Sequence, residues 1–203
     1  MHLMLLLVSL CFVVGSAFMY RKPIKALLLD CDGVLWKGPN PIKNSIESLI
    51  YLQKEHPEIK VLYVTNNSIK TRKEIRSKFF SFGIVVNEDD IITSGSVTAA
   101  VLHSLEINKV LMIGNPALKD EMEQVNIVVH DLSSSEPAFI SENEFDNIFI
   151  DPTIKAVCLG WDTQFTSRKL CLSSLYLQRE ECKFFVTNLD AYDMTPSANR
   201  FQH

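Results

Sequence analysis

Lys25-Ala26-Leu27-Leu28-Leu29-Asp30-Cys31-Asp32-Gly33-Val34-Leu35-Trp36 is a short apolar run that stops at two acids and a glycine. A run of this kind reads as a buried strand of a parallel sheet. Asp30 and Asp32 stand at i and i+2, so on extended backbone both side chains leave the same face. At the C-terminal end of a parallel strand they look into the crevice where α/β sheets bind ligands. Gly33 lets the backbone turn away directly after the pair. Two like charges so close repel, which makes a cation such as Mg²⁺ the natural third party. An Asp pair before a Gly also caps turns, and D-x-D-G by itself favours that plainer role.

The surroundings continue as alternating strands and helices. Residues 42–55 place Ile42, Ile46, Leu49, Ile50 and Leu52 on one helical face, and Val61–Thr65 is the next strand. Residues 70–82 read as a helix with Ile75, Phe79 and Phe80 inward and Lys70, Arg72, Lys73, Arg76 and Lys78 outward. Ile91–Ser94 is a third strand and 96–105 a further helix. A second α/β unit follows: Val110–Gly114, a helix over 116–124, Asn126–His130, then Ala156–Gly160 and Lys183–Thr187 around a helix at 166–179. The acidic, Ser- and Pro-containing stretch 131–154 shows no period and reads as a loop or hairpin region. Repeated βαβ units imply a mostly parallel sheet covered by helices.

A second polar cluster joins the first. Thr65-Asn66-Asn67-Ser68 lies between an apolar strand and a helix whose first turns are basic. Hydroxyl and amide donors with free N–H groups at a helix N-terminus suit a phosphate oxygen. Asn or Ser as a simple helix cap is the alternative, and for this motif alone the better one. Both motifs fall at the ends of successive strands, hence at one sheet edge. Together they favour a phosphoryl-transfer site.

L-L-D-C-D-G-V-L-W-K-G, V-T-N-N-S-x-K-T-R and G-N-P-A-L-K-D-E resemble the haloacid dehalogenase superfamily of phosphatases. More narrowly they resemble its phosphoglycolate/pyridoxal phosphatase group, the p-nitrophenylphosphatases. The resemblance runs from about residue 24 to the end and includes G-W-D at 160–162 and T-N-L-D at 187–190. It implies a Rossmann-like parallel-sheet core with an inserted α/β cap domain: core over 23–97, cap over 98–192, and the start of a return to the core at 193–203. It also implies an aspartyl-phosphate mechanism with Asp30 as nucleophile and Asp32 as acid and base. Thr65 and Asn66 would hold the phosphoryl oxygens, with Asn67 supporting the loop. Mg²⁺ would sit on the Asp30 carboxylate and the Asp32 backbone carbonyl. Asp162 and Asp190 lie in cap motifs and are candidate substrate residues, with turn or strand-end capping as the alternative. The substrate would be a small phosphate monoester of the 2-phosphoglycolate or pyridoxal phosphate type, and a homodimer through the cap is a candidate assembly.

The family pattern goes on to a Lys, usually before Pro, and then to a Gly-Asp motif that supplies a further Mg²⁺ ligand. None of the seven Gly here precedes Asp, and no Lys after residue 192 precedes Pro. The expectation is a core incomplete at the C-terminus and a site short of positive charge, which costs transition-state stabilisation. Two alternatives therefore accompany the phosphatase: a non-catalytic truncated homologue acting in binding or dimerisation through its cap, and a nucleotide monophosphatase of the same cap type.

Composition excludes other classes. The 203 residues are 47% hydrophobic and 22% charged, as in globular proteins, which excludes wholesale disorder. The net charge of −4 is too balanced for wrapping a polyanion. It is unevenly spread: +6 over 21–80, −10 over 81–155 and zero over 156–203. The basic residues lack interleaved aromatics for base stacking, so nucleic acid is not an expected partner. No G-x-G-x-x-G follows a strand, which argues against dinucleotide redox chemistry.

Residues 3–20 carry no charge and precede Arg21, Lys22 and Lys25, so 1–22 form a signal or anchor candidate. Gly15-Ser16-Ala17 offers small residues for cleavage, but no Lys or Arg precedes the run. Retained as an anchor, it would leave the body cytosolic; without it no membrane role is expected. The five Cys show no paired spacing of the zinc-site kind, and their odd number does not suggest a disulfide framework. The sequon Asn66-Asn67-Ser68 lies in the phosphate loop, where a glycan would block the site. The phosphatase body is therefore expected in the cytoplasm.

Overall fold

The computed structural model describes residues 23–132 and 137–190, together with a short antiparallel strand pair, β10 (Asp193–Met194) and β11 (Phe201–Gln202). The expectation for residues 1–22 lies outside the described residues, as does most of the expected return to the core. Among the described residues no helix is long and apolar enough to cross a membrane.

The first sheet has strands β1 (Ala26–Asp30), β4 (Lys60–Thr65) and β5 (Ile91–Thr93) in the order β1-β4-β5, all parallel. The register pairs Asp30 with Val64 and Thr65 with Thr93, which brings the C-terminal ends of all three strands together. Between β1 and β4 lie a hairpin, β2 (Trp36–Lys37) with β3 (Asn40–Pro41), and helix α1 (Ser45–Glu55). Helix α2 (Arg72–Ser81) joins β4 to β5. Ile46, Leu49, Ile75 and Phe79 from the two helices pack with Cys31, Trp36, Tyr63 and Ile91 in one cluster.

All of that packing falls on one side. Leu28 is 68% exposed, so β1 is not the strand buried on both faces that its apolar run implies. Its burial alternates because α1 and α2 share a single face, and Leu29 points there while Leu28 does not. Two further inward assignments fail for a related reason. Phe80 is 72% exposed and Ile50 is also exposed, since a helix buries only a stripe and Ile75/Phe79 and Ile46/Leu49 fill it. Conversely, Arg72 and Lys78 do not point freely outward; each has partners described below. The β2–β3 hairpin was not expected either, although Gly38-Pro39 is a turn signal, with Gly38 at φ +57°.

Helix α3 (Ser94–Ser104) leaves β5 through a capping box made by Thr93 and Ser96 and carries the chain to the second sheet. That sheet has four parallel strands, β6 (Lys109–Ile113), β7 (Val128–Asp131), β8 (Ala156–Leu159) and β9 (Lys183–Val186), in the order β7-β6-β8-β9. It is covered on both faces. Val110, Met112, Ala156 and Cys158 meet α3 and α4 (Pro116–Glu123) through Ala99, Leu102, Leu118 and Met122. Leu111, Ile113 and Val157 meet α6 (Ser167–Leu177) through Leu172 and Tyr176. The stretch expected to be irregular contains a short helix, α5 (Glu142–Asn147), whose start is capped by the Ser141 hydroxyl accepting from the Glu144 N–H at 3.3 Å. Where β6 and β8 end, Gly114 and Gly160 lie under Leu118. A Cβ on Gly160 would come within 2.8 Å of the Leu118 side chain, which would have to shift to admit it.

Candidate active site

The site begins where β1 stops. Cys31, fully buried, points into the core, which leaves its neighbours Asp30 and Asp32 on the other side as the strand period requires. The Cys31 N–H donates to Asp30 Oδ1 at 2.8 Å. Gly33, at φ +87°, then turns the chain back so that its N–H donates to the Trp36 carbonyl at 2.7 Å. The turn buries the Trp36 ring against Phe79, 5.0 Å between centroids, and aims its indole N–H at Asp32 Oδ1, 2.8 Å away. The other oxygen, Asp32 Oδ2, accepts from the Thr65 hydroxyl at 3.2 Å. Motif one and motif two thus touch directly, across thirty-three residues of sequence.

The electrostatics follow from that geometry. Partial burial holds the Asp30 carboxyl above the usual carboxylate range; the Cys31 N–H opposes this and the Asp32 charge adds to it. Burial, then the charges of Asp32 and Asp30, push the Cys31 thiol up to about 12, so it stays protonated. The Lys78 ammonium lies 4.0 Å over the Trp36 ring and donates to the Gly38 carbonyl at 2.8 Å. Burial lowers it to about 8, against the pull of Asp32.

The phosphate-loop residues are all engaged. Thr65 Oγ1 also accepts from the Asn67 N–H at 3.2 Å, and Asn67 Oδ1 accepts from the N–H groups of Ile69 and Lys70 at 2.9 and 3.2 Å. Helix α2 closes its own N-terminus with a Thr71–Glu74 capping box. Asn66 faces outward, and its amide donates to Asp190 Oδ2 at 2.6 Å. Its carbonyl accepts from the Ser94 hydroxyl at 2.8 Å. Asp190 is therefore brought to the site. Asp162 is not among these contacts: it is nearly buried, pairs with Lys169 at 2.7 Å and accepts from the Gln164 N–H at 2.8 Å.

Asp30 and Asp32 supply hard oxygen donors, and the Asp32–Trp36 bridge runs through the Cys31 carbonyl and the Gly33 N–H, not through the Asp32 carbonyl. A carboxylate and a carbonyl at one strand end fit a hard cation that keeps several waters, as Mg²⁺ does. Among the described residues no cluster of three or more His, Cys, Asp or Glu offers a fuller cage.

A family model for haloacid dehalogenase-like hydrolases matches residues 27–128, half of the chain. The chain belongs to the haloacid dehalogenase-like hydrolases. The match takes in both strand-end motifs, with Asp30, Asp32 and Thr65–Asn67, and ends before Asp162 and Asp190. Among hydrolases of known name, a 4-nitrophenylphosphatase of Schizosaccharomyces pombe is 32% identical over 171 residues, 81% of this chain and 56% of that one. The chloroplastic phosphoglycolate phosphatase 1A of Arabidopsis thaliana is 31% identical over 179 residues, 83% of this chain and 47% of that one. A crystal structure from Pyrococcus horikoshii OT3 superposes with a TM-score of 0.67 at 29% identity, covering 85% of this chain and 61% of the other. The chain spans about half the length of the curated relatives it matches. Its fold is that of the haloacid dehalogenase-like phosphatases, a Rossmann-like core with a cap.

Several residues at the site carry roles that the sequence did not assign. Trp36 stood inside the first motif without a role, and only the Gly33 turn reveals its indole as a donor to Asp32. Ser94 stands at the end of the expected third strand, and its hydroxyl reaches the Asn66 carbonyl. Asn115, inside the G-N-P-A-L-K-D-E motif, caps α4, and its amide also donates to the Ser68 carbonyl at 3.0 Å. Arg72 was read as solvent-facing and is held instead by Glu121, with Nε to Oε2 at 3.0 Å.

Proposed function

We propose that this chain hydrolyses small phosphate monoesters of the 2-phosphoglycolate or pyridoxal phosphate type through a phosphorylated Asp30. The observation that carries the reading is the Asp32 carboxylate, fixed beside Asp30 by the Trp36 indole and the Thr65 hydroxyl. A carboxylate held by two neutral donors at a crevice is placed to exchange a proton with a bound ester. Asp30 attacks phosphorus in line, the bond to the ester oxygen breaks, and Asp32, which enters this step as the protonated acid, hands its proton to the leaving alcohol and becomes a carboxylate. Asp32 then takes a proton from water as that water attacks phosphorus and the bond to Asp30 breaks. Thr65 and Asn66 orient the phosphoryl oxygens, and Asn67 holds the loop. The carboxylate oxygen that Asn66 now meets, Asp190 Oδ2, stands where a phosphate oxygen would accept the same N–H.

Mg²⁺ would be held by the Asp30 carboxylate and the Asp32 carbonyl, where it would offset charge between carboxylate and phosphate. In this reading residues 23–97 serve as the core part and 98–192 as the cap. The Asn66 amide nitrogen is occupied by Asp190, which a glycan on that nitrogen would displace, and this supports a cytosolic body.

The test is hydrolysis of p-nitrophenyl phosphate with and without Mg²⁺, beside Asp30→Asn. The expected result is turnover that needs both Mg²⁺ and Asp30, falling at least ~10³-fold in the variant. Phosphate binding without turnover would put the non-catalytic binding homologue in its place. Preference for a nucleoside monophosphate over 2-phosphoglycolate would move the substrate class to nucleotides.

A further inference from the structure

We infer that Glu121 is a positioning residue that sets the phosphate-binding loop from the second sheet, an inference that rests on the reading of Thr65–Asn67 as that loop. Glu121 lies on α4, and its side chain is 3% exposed. Such burial of a carboxylate requires strong compensation. Among the described residues the compensation comes from Arg72, the first residue of α2: its guanidinium Nε reaches Oε2 at 3.0 Å and Oε1 at 3.2 Å, and its backbone N–H also donates to Oε1 at 3.2 Å. The guanidinium goes on to Gln124 Oε1 at 3.1 Å, one turn along the same helix surface.

The backbone contact separates this arrangement from an ordinary ion pair. The first N–H groups of a helix have no partner inside it. Glu121 takes one of them, so it grips the main chain where the loop enters α2 and not a side chain alone. Six residues before Glu121, the Asn115 amide donates to the Ser68 carbonyl, four residues before Arg72, at 3.0 Å. Asn115 caps α4 with its Oδ1, accepting from the Ala117 and Leu118 N–H groups at 2.9 and 3.3 Å. One helix of the second sheet therefore ties the chain at Ser68 and again at Arg72. The donors at Thr65, Asn66 and Asn67 hang directly from the tied segment. Charge-assisted hydrogen bonds of this kind are the stronger ones, so the loop is held in place before any phosphate arrives.

The test compares Glu121→Ala, Glu121→Gln and Lys109→Met in the full chain. Lys109→Met breaks a different ion pair, with Asp151 at 2.6 Å, at the opposite end of β6. Two readouts are taken: backbone amide exchange over residues 66–70, and the affinity for inorganic phosphate. In Glu121→Ala, exchange over 66–70 is expected to rise at least tenfold and phosphate affinity to fall at least tenfold. Glu121→Gln keeps an acceptor for the Arg72 donors but loses the charge, and is expected to raise exchange over 66–70 measurably, by less than alanine does; if the alanine variant does not fold, unaltered exchange in Glu121→Gln alone overturns the inference. Lys109→Met is expected to leave both readouts unchanged. Unaltered exchange at 66–70 in both Glu121 variants, or an equal rise in Lys109→Met, overturns the inference. Wild-type protein that binds no phosphate would instead remove the phosphate-loop reading, while the exchange data still decide whether Glu121 sets the loop.

Discussion

The two sheets of this chain are both parallel, yet they are buried in different ways. In β6 the residues Val110 to Ile113 are each exposed by 2% or less, because α3 and α4 cover one face and α6 the other. In β1 the pattern alternates and Leu28 stands open. The polar side chains argued to do chemistry gather at the end of the more open sheet, whereas the corresponding corner of the second sheet is closed by Leu118 over Gly114 and Gly160. Among the described residues, helices cover the second sheet on both faces and the first on one, and the two strand-end motifs lie on the first.

The largest expected effect that sharpens this contrast lies beside the second sheet. Asp162→Ala leaves the Lys169 ammonium, 9% exposed, without its carboxylate, and is expected to lower stability by about 3–5 kcal/mol in urea unfolding. A loss below ~1 kcal/mol would show that this pair is not part of what holds the second sheet together. Leu111→Ala is next, at about 2–5 kcal/mol, beside Leu28→Ala within ~0.5 kcal/mol. Equal losses in the two variants would break the comparison outright.

Trp36→Phe keeps the ring packed against Phe79 and removes only the donor to Asp32. A hydrogen bond to a charged group contributes about 1.5–3 kcal/mol, so hydrolysis of p-nitrophenyl phosphate should slow by ~10- to 100-fold. An unchanged rate would mean that the Thr65 hydroxyl alone fixes Asp32.

The smallest effect concerns pH. Lys78 titrates at about 8 when folded, against an unfolded value of 10.5. Between these values the unfolded chain binds the extra proton, so this group makes stability rise with pH from about 8 to 10.5 and adds no pH dependence below 8, where both states are protonated. Wild-type protein should gain on Lys78→Met across that window in parallel urea titrations. A constant difference would place Lys78 in ordinary solvent, away from the Trp36 face.

Much of this was legible in sequence because strands and helices of an α/β unit announce themselves by period and punctuation. The strands β4, β6, β8 and β9 and the helices α2, α4 and α6 lie within a residue or two of where apolar runs and capping residues place them. The two strand-end motifs were legible as well, since a parallel register brings successive C-terminal ends together. Coverage was not. Nothing in Leu27-Leu28-Leu29 distinguishes a strand covered on one face from one covered on two. Long-range polar partnerships were equally silent: Arg72 looks like any helix-surface arginine until α4 brings Glu121 against it. Phe80 and Ile50 show the same limit, since a helix may carry more apolar residues than its stripe can bury.

The register also bears on how the chain acquires its shape in time. Every ladder of the two main sheets is parallel, so none can be zipped from a tight turn, and each must wait for a loop to close. The shortest wait belongs to β6 and β7, where Lys109 meets Val128 around α4. The longest belongs to β6 and β8, where Val110 meets Ala156. In refolding of the full chain the β6–α4–β7 unit is therefore expected to form the earliest ladder. Asn115 and Glu121, both carried by that unit, are in place before the β6–β8 ladder closes the second sheet.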